Sequence, residues 1–116
     1  MKDRDATRAR FLTDPLPKRL GALAADLARV SSSAHKSRFE SAELMMEESL
    51  WFIEWVAGDL EPNVAAELVD MQLMLGIWRK LLPDVQQNSR LRVLLYLQTK
   101  KWSEQVLDYS GLLTQE

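Results

Sequence analysis

Apolar residues recur at spacings of three and four through most of the chain, as in Leu20, Leu23, Leu27 and Val30, and that period places them on one face of an α-helix. No Val/Ile/Thr-rich alternating run competes as a strand, so the periodicity excludes a sheet protein. Prolines, glycines and a serine run cut the pattern into four pieces. They predict an all-α protein, a four-helix bundle with segments at 15–30, 36–57, 62–82 and 86–109. Short connections between amphipathic helices favour antiparallel neighbours, hence up-down-up-down order.

The boundaries follow from local chemistry. Pro15 and Pro17 suit the first turn of a helix, where a missing N–H is no loss. Ser31-Ser32-Ser33 offers hydroxyls that compete for backbone partners and is expected to end the first helix. Ser37 with Glu40 three residues later matches a capping box for the second, and Gly58 is placed to cap its far end. Its apolar residues Phe39, Ala42, Met45, Met46, Leu50, Phe52, Ile53 and Val56 cover more than half the circumference, which makes this helix central.

Glu61-Pro62-Asn63 opens the third helix and Pro83 stops it. Met71, Met74, Leu75, Ile77, Trp78 and Leu81 form its expected buried side, and Gln72, Arg79 and Lys80 its wet side. The fourth has a seam of Leu91, Leu94 or Leu95, Gln98, Trp102, Val106 and Tyr109. Gly111 reads as its C-cap, with Leu112 packing back on the last turn. Residues 1–13 are polar and mixed in charge, and are expected to be a flexible tail with Phe11 and Leu12 docking at its end. Residues 14–116 then form a single helical domain.

The chain has no cysteine, which removes disulfides, thiolate ligands and cysteine nucleophiles together. No apolar run has a membrane-spanning length of about 18 to 20 residues, and Met1–Arg10 lacks a secretory apolar stretch, so a cytoplasmic location is expected. The charge is unevenly distributed: residues 1–38 carry nine bases and four acids, residues 39–75 nine acids and no base, and residues 76–116 six bases and four acids. An acidic middle third repels nucleic acid and anionic membrane. Its simplest partner is the basic flanking sequence.

Trp51, Trp55, Trp78 and Trp102, with five methionines, read as core at helical spacing rather than as a cofactor groove. His35 is the single histidine, lies in the serine-rich junction and has no partner for a Ser-His-Asp system. Gly-rich phosphate loops and zinc spacings are absent from the sequence. Carboxylates are the one feature with shape. Glu40, Glu43, Glu47 and Glu54 fall within about 60° of one another on the second helix. Glu67 and Asp70 are expected among the apolar residues of the third, where an acid needs a partner or a metal. The two groups face each other only if their depths agree. With a turn near residue 60, Glu67 falls level with Glu54 or Gly58.

Glu40-x-x-Glu43 followed by Glu67-x-x-Asp70 resembles the ExxE…ExxD signature of the all-α NTP pyrophosphohydrolases, the MazG-like group. The resemblance implies Mg²⁺ bridging nucleotide phosphates, with Glu43, Glu47, Glu67 and Asp70 as ligands, or Glu40 in place of Glu47, and Lys80 near the phosphates. The doubled acid that often opens the family motif is missing from its place, since Glu47-Glu48 follows Glu43. Across residues 20–113 the stretches Glu48–Trp55, Glu67–Leu73 and Lys101–Leu107 resemble small uncharacterised all-α proteins of cyanobacteria, a likeness that implies the fold and no activity.

Val93, Tyr96, Leu97 and Leu107 lie off the main seam of the fourth helix, which is therefore apolar almost all round. A monomer has no use for that surplus, so a helix–helix interface is expected there. The leading expectation is a non-enzymatic interaction or scaffold protein without cofactor, a homodimer joined through the fourth helix with the second as a further contact, or a binder of another protein. The Mg²⁺-dependent pyrophosphohydrolase is the alternative.

Overall fold

The computed structural model describes residues 3–111, and these are helical in six pieces. The expected C-cap contact of Leu112 and the end of the expected domain lie outside the described residues. Helix α1 spans Arg4–Thr13, α2 Leu16–His35, α3 Phe39–Val56, α4 Pro62–Lys80, α5 Leu82–Gln87 and α6 Ser89–Ser110. The all-α expectation holds, with two more helices than the apolar periodicity marks out.

The centre of the molecule is the seam between α2 and α6. Leu23, Leu27 and Val30 of α2 and Leu95, Thr99 and Val106 of α6 are completely buried. Leu95, rather than Leu94, takes the seam position, and Leu94 is exposed. Two hydroxyls stitch the helices together: Ser31 donates to the Tyr96 carbonyl and Ser103 to the Ala24 carbonyl, both at 2.7 Å. These two pairings fix an antiparallel register. Between α2 and α3, Ser33 meets Ser41 at 3.1 Å while Arg19 reaches Asp59 at 2.8 Å, so these helices are antiparallel as well.

Several local expectations are corrected. The polar stretch read as a tail forms α1, because Asp3 accepts from the N–H groups of Asp5 and Ala6 and caps it. Phe11 is buried and stacks on Phe52 with centroids 4.3 Å apart, and the Arg4 guanidinium lies 5.3 Å from the centre of Trp55. The serine run does not end α2, since its hydroxyls bond across to α6 and α3 and leave the helix backbone intact to His35. Gly58 is no left-handed cap, because the chain turns through a short 3₁₀ segment, Ala57–Asp59.

The capping box at Ser37 is also replaced. Ser37 has φ of 59°, a left-handed conformation, and Arg38 N–H donates to the Ser33 carbonyl at 2.7 Å. That geometry closes the C-terminus of α2. The residue before α3, Arg38, makes no side-chain cap bond, so Glu40 is left on an exposed first turn. Pro83 interrupts the third helix as expected, yet it also sits in the first turn of α5. Asn88 Oδ1 then accepts from Arg90 and Leu91 N–H at 3.0 and 3.2 Å to start α6, and Gly111, with φ of 73°, ends it.

Ser37 provides a test with opposite signs. A left-handed β-carbon costs about 1 kcal/mol that glycine avoids, so Ser37→Gly is expected to stabilise the protein by about 0.5 to 1 kcal/mol in a urea titration. A hydroxyl capping α3 would give a loss of about 1 kcal/mol instead.

Candidate functional site

The five acids of the expected metal site do not come together. Glu43 and Glu47 lie on the side of α3 that meets α4, and Arg79 of α4 reaches between them: its Nη2 stands 2.8 Å from Glu47 Oε2, and its Nε 3.7 Å from Glu43 Oε1. One turn apart, these carboxylates repel each other, and the guanidinium offsets that repulsion. Arg79 therefore joins α4 to α3 from the wet side, where its side chain stays 37% exposed. Gln72 joins it there, its amide donating to the Leu50 carbonyl at 3.4 Å.

Glu67 and Asp70 emerge on the opposite flank of α4. They are exposed and line a shallow cleft against α6 with Met71, Met74, Gln98, Trp102 and Gln105. Asp70 is nine residues from Arg79, about 13 Å along the helix, so the two acid groups differ in level as well as in face. Glu40 is exposed near the start of α3, and Lys80 is exposed at the end of α4. Among the described residues no three histidines or acids cluster so as to hold a metal ion. The ligand set implied by the pyrophosphohydrolase resemblance is split between the two sides of one helix.

The acids taken into the interior are others. Asp26 of α2 is 1% exposed and Glu48 of α3 is 6% exposed. Arg29 donates to Asp26 Oδ1 at 3.0 Å and supplies the partner that a buried carboxylate needs. The sequence carried a signal for both. Asp26 stands three after Leu23 and four before Val30, and Glu48 three after Met45 and four before Phe52, inside the apolar stripes. Four acids of the middle third meet bases from three helices: Glu54 with Arg4 at 3.2 Å, Asp59 with Arg19 at 2.8 Å, and Glu43 and Glu47 with Arg79.

Trp78 and Trp102 are core, as expected, and the Trp78 indole N–H donates to Gln98 Oε1 at 2.6 Å, tying α4 to α6. Trp51 and Trp55 are half-buried and stack on each other beside α1. His35 is exposed and packs edge-on to Tyr96, with ring centroids 4.7 Å apart.

The off-seam residues of α6 separate into two kinds. Tyr96 and Leu107 are half-buried and pack against the core, so they contribute no free apolar face. Val93 and Leu97 are exposed, and Leu94 joins them. The larger exposed set was missed in the sequence: Val69, Leu73, Met74 and Ile77 of α4, with Leu73 at 65%. Met74 and Ile77 fit the apolar period, but α4 has α3 on one flank and α6 on the other, and nothing among the described residues covers the arc between.

Among the described residues no helix is long and apolar enough to cross a membrane. Compared with protein-family models, curated proteins and solved structures, the chain matches none.

The two acid groups separate in mutagenesis. Arg79→Leu leaves Glu43 and Glu47 facing each other and is expected to destabilise by about 0.5 to 1 kcal/mol, a loss that shrinks in high salt. Glu67→Gln, at an exposed position making no ion pair among the described residues, is expected to change stability by less than about 0.5 kcal/mol. Chemical denaturation of both variants at low and high salt measures these effects. A strong gain in Glu67→Gln would mean that Glu67 is held beside other carboxylates.

Proposed function

We propose that this chain is a non-enzymatic helical interaction protein that pairs with a second copy of itself through the outer face of α4 and the adjoining edge of α6. The four long helices α2, α3, α4 and α6 serve as an up-down-up-down bundle whose exposed side is the working surface. The observation that supports this best is the clustering of exposed apolar side chains. Val69, Leu73, Met74 and Ile77 are exposed on α4, which the Trp78–Gln98 bond joins to α6, and Leu94 and Leu97 are exposed on α6, Leu97 beside Ala28, Ser31 and His35 of α2.

Scattered apolar residues on a surface are ordinary, whereas several on the one unpartnered face of a helix, as on α4, mark an interface. The face differs from the one expected from sequence. Of the α6 residues expected there, Val93 and Leu97 are exposed while Tyr96 and Leu107 are engaged with the core, and the proposal takes its larger part from α4. A Mg²⁺-dependent hydrolase receives less support, because Glu43 and Glu47 are occupied by Arg79 and stand away from Glu67 and Asp70.

Light scattering coupled to gel filtration tests the proposal. At about 10 to 100 μM, a range that covers ordinary self-association, the expected mass is twice the 13.3 kDa of one chain. Leu73→Glu and Leu97→Glu are each expected to return it to a single chain with the helical circular-dichroism signal intact. A single-chain mass for the unaltered protein throughout that range would refute self-association. A thermal shift with Mg²⁺ that disappears in Asp70→Asn would favour the hydrolase.

A further inference from the structure

Gly76 stands in the middle of α4, three residues after Leu73 and one before Ile77. Glycine is among the poorest residues for a helix interior and is retained there when something must come close to the backbone. Among the described residues no other element does so. Apart from its own helix turn, a β-carbon built at Gly76 would meet no atom of the described residues within 4 Å. The bare backbone is open to the outside, flanked by Val69, Leu73 and Ile77, which are 40, 65 and 49% exposed.

The same helix is polarised along its length. Glu67 and Asp70 are exposed on its first half, and Lys80 is exposed at its end. Arg79, the other base, is paired with the α3 carboxylates on another side of the helix. A parallel neighbour of the same kind would set acid against acid, whereas an antiparallel one sets the acidic half of each copy toward the basic end of the other. A two-fold axis perpendicular to the helices satisfies both copies at once, as an isologous pair requires.

We infer that α4 crosses α4 of a second copy antiparallel at Gly76, with Leu73 and Ile77 packed at the crossing and Asp70 of each copy directed toward Lys80 of the other. This deepens the self-association proposed above and rests on it. The missing β-carbon lets the two helix backbones approach closely, which tightens the packing of the flanking apolar side chains. A single helix crossing is small beside the roughly 1,200 Å² of a stable interface. Exposed Leu94 of α6, one turn before the Gln98 that bonds Trp78, extends it on that side.

Sedimentation of variants at graded concentration tests the crossing. Gly76→Leu adds a side chain where the monomer has free space, so it is expected to keep its helical signal and melt no lower as a dilute monomer. Its dimer dissociation constant is expected to rise about tenfold or more, because the backbones are forced apart. Asp70→Lys and Lys80→Asp are each expected to weaken the dimer about fivefold, and the double variant to recover most of that loss. Because the chain has no native cysteine, a mixture of Asp70→Cys and Lys80→Cys chains should form a mixed disulfide-linked pair faster than either chain links to itself. A dimer insensitive to Gly76→Leu and to the charge exchange, yet dissociated by Leu97→Glu, would overturn the α4 crossing and leave self-association through α6 standing. A monomeric unaltered protein would overturn both.

Discussion

The seam between α2 and α6 is the contact on which the rest of the structure depends. Leu23, Leu27 and Val30 meet Leu95, Thr99, Trp102 and Val106 in a strip closed to solvent. Hydroxyl-to-carbonyl bonds set its register, Ser31 to Tyr96 and Ser103 to Ala24. Burial of these side chains supplies most of the favourable free energy, at about 1.5 to 3 kcal/mol for a large aliphatic residue. The hydrogen bonds contribute less but permit one alignment. Once α2 and α6 are locked, α3 docks on α2, α1 clamps α3 through Phe11 and Phe52, and α4 is left to close the remaining side.

Closing that side places α4 in a different situation from the other helices. It touches α3 through Gln72 and Arg79 and α6 through Trp78, but few of its residues are fully buried. Its apolar character is therefore spread round the circumference, with Leu68 and Leu75 inside and Val69, Leu73 and Ile77 outside. The same placement decides the chemistry of the acids. Because α4 stands between α3 and α6, Arg79 reaches α3 while Glu67 and Asp70 stand exposed on the flank toward α6, and among the described residues no three acids gather to hold a metal ion.

Polar residues whose local signals favour caps were given tertiary work instead. Ser31 and Ser33 stand where a helix is expected to fray, yet each finds a partner on a neighbouring helix, so α2 gains a further turn. Ser37 fits the opening of a capping box but occupies the left-handed position that finishes α2. Where a signal had no tertiary rival it held, as at Gly111 and at Pro83.

By itself the sequence determined the helical class, the interior faces of α2 and of most of α3, the core positions of Trp78 and Trp102, and the break at Pro83. All of these follow from the helical period and from backbone sterics, which act within a few residues. Only the tertiary structure decided that residues 4–13 form a docked helix, since Phe11 is one aromatic in a polar stretch and matters only because Phe52 lies beneath it. It also decided which acids meet a base and which apolar residues of α4 and α6 face outward. Those outcomes depend on how many neighbours each helix has and at what depth they cross it. A periodic pattern tells which residues share a face, but it carries no record of what that face will meet.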